Sequence, residues 1–374
     1  MYILLLLGVF VLWRLQAYLF RRYWDKDLSV TLAFADTHVY EGDRSILKEV
    51  VVNDKRMPIP AVHIRLIVPR NLIFEGEAKA NSTISDQNYK RDIFSFLGRQ
   101  QITRSLPFTA TRRGYYELTS VDMVGSDYFF HEGNYRSLPQ KTGLYVFPRQ
   151  ISTSQVQLIC KEISGTVLAQ NRLHPDPFEF SGIRDYEKTD PMNHVNWKAS
   201  ARMGSLMVNQ YDSTTNINVT VLLDVEDSHI LRHEPLVEEG IRIVSSLAGR
   251  MVRQKMPLTV KCNGMRHGQE EPISLYLPAG GSRMMDLNQE LACIDSDRLA
   301  YSGEVLLQRT VEEKASGLTF ILISQNTTRE MKAQAARLAA NDNQILWLLP
   351  FFRDEEPEEF TLPGVRVLRW EVGA

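Results

Sequence analysis

Ile217–Ser228, INVTVLLDVEDS, decides how the chain folds. Six of its first seven residues are β-branched or apolar with almost no alternation, which is the pattern of a strand covered on both faces rather than one lying against water. It then breaks into an acidic loop. Downstream, Pro235–Gln254 carries Leu236, Gly240, Val244, Leu247 and Met251 at helical spacing, and Leu258–Cys262 returns to a strand. The alternation continues. Ser274–Leu277 reads as a strand, Met284–Ile294 and Val305–Ala315 as helices, Leu318–Ser324 as a strand, Arg329–Ala340 as a helix, and Ile345–Leu349 and Val365–Trp370 as strands. Apolar strands between amphipathic helices predict a doubly wound α/β domain over residues 216–374, with a parallel sheet covered on both sides.

Upstream lies a second informative stretch, Glu179–Arg202, EFSGIRDYEKTDPMNHVNWKASAR. Asp190 followed by Pro191 predicts the start of a short helix, with the carboxylate as N-cap and the proline where its missing N–H costs nothing. Four-residue spacing then places His194, Lys198 and Arg202 in a polar row and Val195, Ala199 and Met203 in an apolar one. Phe180, Tyr186 and Trp197 are too bulky for a flexible linker. The segment is therefore expected to be buried, with Trp197 as an anchor, inside a connector over residues 151–215 whose strand is Leu206–Tyr211.

This stretch resembles the pattern of the bacterial family called domain of unknown function fifty-eight, in Phe180, Arg184, Tyr186, Asp190, Pro191, Trp197, Lys198, Ala199, Ser200, Ala201 and Arg202. Thr189 departs from it, standing where the family has glycine. The resemblance implies a membrane-anchored protein with a β-rich domain and a von Willebrand A-like domain, found alongside MoxR-type AAA+ ATPases. The loop Asp224–Ser228 is similar to the first metal loop of such a domain, D-x-S-x-S, with Asp224 and Ser228 matching and Glu226 replacing the first serine. Asp224, Glu226 and Ser228 are accordingly the candidate ligands of magnesium or manganese, since hard cations take carboxylate and hydroxyl oxygens. After Ser324, where the family often offers an aspartate, this chain has Gln325-Asn326.

A chain of 374 residues exceeds what one core organises, and two folded domains are expected. Its 43 lysines and arginines against 45 aspartates and glutamates leave no basic field for a phosphate backbone, which removes nucleic acid from the partners. Cys160, Cys262 and Cys293 are far apart and odd in number, so neither a disulfide framework nor a zinc site is expected. There is no G-x-x-x-x-G-K-[ST], G-x-G-x-x-G after a strand, H-E-x-x-H or G-x-S-x-G, and the ATP, dinucleotide, zinc-protease and nucleophile-elbow chemistries lose their usual support.

Tyr2–Phe20 is apolar apart from Arg14 and Gln16, and Arg21-Arg22 follow. Its length suits a transmembrane anchor over residues 1–24, and the basic flank on its C-terminal side places the body in the cytoplasm. The alternative is a helix lying in the interface, because the uncharged run ends at Trp13. Residues 25–150 alternate with period two, as at Val62, Ile64, Leu66 and Val68, with turn signals between the runs. An all-β sandwich of the immunoglobulin type is expected there, with a polar loop over Asn81–Asn88.

Two functions follow. The first is a non-enzymatic, membrane-tethered scaffold presenting an A-like domain to cytoplasmic partners, among them a MoxR-type ATPase; the second is a metal-assisted hydrolase built on Asp224, Glu226 and Asp227. The missing second-loop carboxylate and the lack of an evident general base favour the scaffold.

Overall fold

The computed structural model describes residues 2–75, 87–129, 132–151, 180–187, 190–211, 219–227, 233–266, 271–355, 357 and 359–372, with single positions between 154 and 165. The chain divides into two compact units, Met1–Arg149 and Gln150–Ala374.

The first unit is a β-sandwich entered by a helix. Helix α1 covers Tyr2–Tyr23. The strands are β1 (Leu28–Phe34), β2 (His38–Tyr40), β3 (Arg44–Asn53), β4 (Ile59–Pro69), β5 (Leu72–Phe74), β6 (Gln87–Phe96), β7 (Gln100–Ala110), β8 (Gly114–Ser126) and β9 (Glu132–Phe147). One sheet has the order β1-β3-β7-β5 and the other β2-β9-β8-β4-β6. The period-two pattern does its expected work. Leu47 and Val51 of β3 face Val62, Ile64, Leu66 and Val68 of β4 within one core. The loop expected over Asn81–Asn88 lies outside the described residues as far as position 86, and Gln87 and Asn88 already pair with Pro69 and Val68.

The end of α1 belongs to this core. Phe20 and Trp24 are buried in it, and Gly125 of β8 accommodates the indole, since a Cβ there would lie 2.3 Å from the Trp24 ring. Lys55 donates to the main-chain carbonyls of Trp24 and, at 2.9 Å, Lys26, closing the turn after the helix. The rest of α1 presents Ile3, Leu5, Leu6, Leu7, Val9, Phe10 and Leu12 outward. Among the described residues, no helix is long and apolar enough to cross a membrane. The uncharged run Tyr2–Trp13 within the anchor expected over residues 1–24 rises about 18 Å at 1.5 Å per residue, against a hydrocarbon layer about 30 Å thick.

The second unit holds a seven-stranded sheet. Its strands are β12 (Val219–Leu223), β13 (Leu258–Arg266), β14 (Pro272–Leu277), β15 (Ile294–Leu299), β16 (Thr319–Ile323), β17 (Gln344–Phe352) and β18 (Val365–Val372), in the order β14-β13-β12-β16-β17-β18 with β15 beside the end of β13. From β13 to β18 the neighbours run parallel, and β14 and β15 are antiparallel. All five residues of β12 and of β16 are buried. Their alternate side chains enter two cores. Val219, Val221 and Leu223 pack with α3 (Glu234–Arg253) and α4 (Met284–Cys293), whereas Leu222, Phe320 and Leu322 pack with α5 (Gly303–Glu312) and α6 (Arg329–Ala340). Strand β15, IDSDRL, was not expected; its polar composition reads as a turn, and it is only half covered.

The connector is not one piece. Val156, Ile159, Cys160 and Ile163 join the α3 side of the α/β core. The main-chain N–H of Ile151 donates to Ser246 Oγ at 2.9 Å and Gln150 Nε2 to Ser245 Oγ at 3.1 Å, both hydroxyls on α3. Further along, β10 (Phe180–Asp185) and β11 (Met207–Tyr211) form a separate two-stranded ribbon around the seven-residue helix α2 (Trp197–Met203).

Candidate functional site

Among the described residues, two places in the second unit combine chemistry-bearing residues. The first is where strand order reverses, between β12 and β16, at the carboxyl ends of the strands, the usual ligand position in an open α/β sheet. Asp224 directly follows β12 there and is 4% exposed. Its Oδ1 accepts from Asn263 Nδ2 at 2.6 Å and from the Glu226 N–H at 3.0 Å, and its Oδ2 accepts from Ser324 Oγ at 2.7 Å. Burial pushes the Asp224 carboxyl up to about 6, although the hydrogen bonds from Ser324, Glu226 and Asn263 act in the opposite direction. Glu226 Oε2 accepts from the Gly303 N–H at 2.8 Å, at the first residue of α5. Gly303 must lack a side chain. A Cβ there would lie 2.4 Å from Asp224 Oδ2.

This arrangement is a fastener between strands and helices. Asp227 accepts from the His233 N–H ahead of α3, Trp347 Nε1 donates to the Ser324 carbonyl at 3.1 Å, and Thr328 Oγ1, on the cap of α6, donates to Glu304 at 2.8 Å. Of the candidate metal ligands, Ser228 lies outside the described residues, Asp224 is committed to three protein donors, and Glu226 caps α5. Among the described residues, no group of three or more histidine, cysteine, aspartate or glutamate side chains is placed to hold a metal ion. The described residues do not fit a hard cation in this arrangement, which needs several carboxylate and hydroxyl oxygens turned on one point. Asn263, Ser324 and Gly303 escaped the sequence reading because they come from distant strands and helices.

The second place is the ribbon with α2. Arg184 grips Asp190 with both arms, Nη1 to Oδ2 at 2.7 Å and Nη2 to Oδ1 at 2.6 Å, and the Glu187 N–H donates to Asp190 Oδ2 at 2.8 Å. The guanidinium holds the Asp190 carboxyl below its ordinary range, and the carboxylate raises Arg184 in return. A short helical turn, Met192–His194, does start after Pro191 as expected, but no side chain caps it, and Asp190 is not the N-cap of α2. That role belongs to Asn196, whose Oδ1 accepts from the Ala199 N–H at 2.9 Å and whose Nδ2 donates to Asn209 Oδ1 at 2.7 Å. Ser200 Oγ donates to the Asn196 carbonyl and accepts from the Met207 N–H, both at 2.8 Å, tying α2 to β11. Gly204 ends the helix in the left-handed region at φ 71°.

Those bonds fix the backbone and leave the large side chains outside. Trp197 is 64% exposed and Met203 70%, with Met192, Ile183 and Leu206 also exposed. Lys198 and Arg202 are exposed beside them, and Tyr186 is half-buried. The expected apolar row of Val195, Ala199 and Met203 does not form one buried face: α2 begins only at Trp197, and Val195 is covered by its bridge to Val208. The expectation of Trp197 as a buried anchor is corrected by its exposure. A two-stranded ribbon offers one layer, too little to cover both sides of a helix laid on it.

Trp197→Ala is expected to change stability by less than about 0.5 kcal/mol, as surface replacements do. Arg184→Ala, which frees Asp190 and the turn at Glu187, is expected to speed proteolysis within residues 180–211. Limited proteolysis of the two variants side by side reads both effects, and equal protection of Arg184→Ala and the parent would show that the ion pair does not hold the ribbon.

No family model matches the sequence, and no curated protein matches it. Similar solved structures include the CARDB domain of the PF1109 protein from Pyrococcus furiosus, with 12% identity and a TM-score of 0.19, covering 32% of this chain and 96% of that one. A non-cellulosomal cohesin from the hyperthermophilic archaeon Archaeoglobus fulgidus has 14% identity and a TM-score of 0.21, covering 34% and 96%. The bacterial hydrophobin BslA has 12% identity and a TM-score of 0.21, covering 33% and 97%. At such scores the likeness carries no argument about function. The sandwich and the α/β sheet rest on the strand order above.

Proposed function

We propose that the protein is a non-enzymatic, membrane-associated scaffold whose second unit, a von Willebrand A-like domain by the resemblance of the Glu179–Arg202 stretch, presents Trp197, Lys198 and Arg202 to a protein partner in the cytoplasm. The observation that carries this reading is the mismatch within one short segment. Arg184, Asp190, Asn196 and Ser200 are spent on holding the backbone, while Trp197 and Met203 stand in solvent. Rigid exposed tryptophan beside arginine is the composition of interface hot spots. The partner surface fitting it has an apolar socket rimmed by acidic residues, and the resemblance to the domain of unknown function fifty-eight points to a MoxR-type AAA+ ATPase. An immunoglobulin-like first unit acts as the spacer from the membrane. The metal-assisted hydrolase is less well supported, because Asp224 and Glu226 are engaged as structural acceptors.

Association with the membrane is assigned to α1, lying in the interface with its outward apolar residues in the lipid and Arg14, Arg21 and Arg22 near the headgroups. The protein should sediment with membranes, be released by alkaline carbonate, and resist protease added outside intact cells. Retention through carbonate would restore the spanning helix, and digestion from outside would overturn the cytoplasmic placement.

A further inference from the structure

One end of the sandwich is interlocked, apolar at its tips and cationic around them. The turn between β3 and β4, the turn between β6 and β7 and the loop after β8 meet there beside the last turn of α1. Asn53 Nδ2 donates to the Leu97 carbonyl at 2.8 Å and to the Met57 carbonyl at 3.1 Å, and the Arg99 N–H donates to the Lys55 carbonyl at 2.9 Å. Tyr128 Oη donates to the Pro58 carbonyl at 2.9 Å, and its ring stands edge-on to that of Phe20 with centroids 6.1 Å apart. Lys55, through the Trp24 and Lys26 carbonyls, ties these turns to the end of α1. The backbones are thus fixed, yet Leu97 is 72% and Phe129 57% exposed, with Tyr23 and Tyr128 exposed beside them. Single exposed apolar residues are ordinary; several on interlocked turns mark an interaction surface. Around them Arg21, Arg22, Lys26, Arg56 and Arg99 are exposed. They outnumber the nearby carboxylates of Asp25, Asp27 and Asp54, and Asp25 is already engaged by Arg136 at 3.0 Å, while Asp127 is buried.

We propose that this end of the sandwich is a second membrane contact, in which Leu97 and Phe129 enter the headgroup region of an anionic lipid surface and Arg56 and Arg99 meet its phosphates. The inference rests on the assignment of α1 to the membrane and extends it from the helix to the folded unit. Because α1 ends within this surface, lipid that takes up its apolar residues lies beside these turns. The excess of positive charge selects anionic lipid, each lysine or arginine near such a surface adding to the attraction, and the apolar tips add burial at the acyl boundary. A second copy of the chain would bring the same positive charge and be repelled. With two contacts the first unit stands on the membrane rather than swinging from a tether. Strand β3 runs from Arg44 at the far end to Asn53 at this one, so Arg44 is held about 30 Å from the surface at about 3.4 Å per residue.

The test places an environment-sensitive fluorophore on Leu97→Cys, Phe129→Cys or Arg44→Cys of the full chain, in a Cys293→Ser background where Cys160 and Cys262 are buried. The labelled chain, freed of detergent, is mixed with vesicles of phosphatidylcholine alone or with phosphatidylglycerol added. On the anionic vesicles the probes at positions 97 and 129 should shift to the blue and be quenched by a lipid-borne nitroxide, while the probe at position 44 does neither. Arg56→Glu, unlabelled, should lower the vesicle partition coefficient about tenfold on the anionic vesicles and leave it unchanged on the neutral ones. Vesicles that bind the chain while the probes at 97 and 129 stay in water overturn this proposal and leave α1 as the membrane contact. A chain that binds no vesicle overturns the α1 assignment with it. Probes shielded before lipid is added, with a mass that grows with concentration, overturn it by making the surface a contact between copies. An Arg56→Glu loss equal on both compositions also overturns it.

Discussion

Asp224→Ala is expected to lower the stability of the second unit by about 3 kcal/mol or more, since each buried donor left without an acceptor costs about 1–3 kcal/mol. Three donors lose their acceptor together: Ser324 Oγ, Asn263 Nδ2 and the Glu226 N–H. These groups reach Asp224 from after β16, from β13 and from its own loop, so their loss loosens the strand ends at the point where sheet order reverses. The comparison that decides what Asp224 does is the same measurement in magnesium and in chelator. A structural fastener gives the same loss in both. If magnesium raised the parent's melting temperature and Asp224→Ala abolished that rise, the carboxylate would be a ligand; a site held at a hundredfold above its dissociation constant adds about 2.7 kcal/mol. That result would revive the hydrolase.

Glu49 is expected to make the first unit lose stability as pH rises through neutrality. It occupies the inward row of β3 between Leu47 and Val51, is 0% exposed, and neither carboxylate oxygen has a hydrogen-bond partner among the described residues. Burial is the main cause that raises its carboxyl to about 7, with Asp92 adding to it and Arg104 and Lys90 opposing. Asp92 is itself engaged by Arg104 at 2.6 Å. The folded state therefore holds a proton that the unfolded chain, with an ordinary value of 4.5, releases earlier. The stabilisation is complete below pH 4.5 and is lost as pH rises through about 7. The difference between those values corresponds to about 3 kcal/mol at 1.36 kcal/mol per pKa unit. Glu49→Gln should remove the decline and leave the sandwich more stable than the parent at pH 8. Denaturant titration at pH 5 and pH 8, followed by hydrogen exchange in β3, checks it, and a parent curve indifferent to pH would contradict it. Asp224 acts in the same direction in the other unit, its share fading as pH rises through about 6, which is why the two units must be followed separately.

How far the chain could be read follows from where its information is local. INVTVLLDVEDS announced a strand buried on both faces and an acidic turn after it, because burial of a parallel strand is written in its own residues. Val62, Ile64, Leu66 and Val68 announced a sandwich strand through their alternation, the mark of an antiparallel strand with one face in the core. Glu49 was legible in principle, since it falls in register between Leu47 and Val51, but its missing partners belong to other strands. Asp190 misled because Asp-Pro is a good local helix start, whereas Arg184 captures that carboxylate from across the turn and leaves the cap to Asn196. Trp197 misled because amphipathic spacing shows which residues share a face and not whether anything covers it. The fastener around Asp224 was half visible, in the acidic loop but not in the Asn263 and Ser324 that answer it.

Trp197 and its cationic neighbours Lys198 and Arg202 stand in solvent rather than in a core, and the proposed role for that exposure is partner binding. It is tested most directly by the affinity of the detergent-purified full chain for a purified MoxR-type ATPase from the same cell, parent against Trp197→Ala and Arg202→Glu. Loss of a hot-spot tryptophan costs about 2 kcal/mol or more, so Trp197→Ala is expected to bind about thirtyfold more weakly while melting at the parent's temperature. Binding of that variant as tight as the parent's, or no binding by the parent, would contradict it.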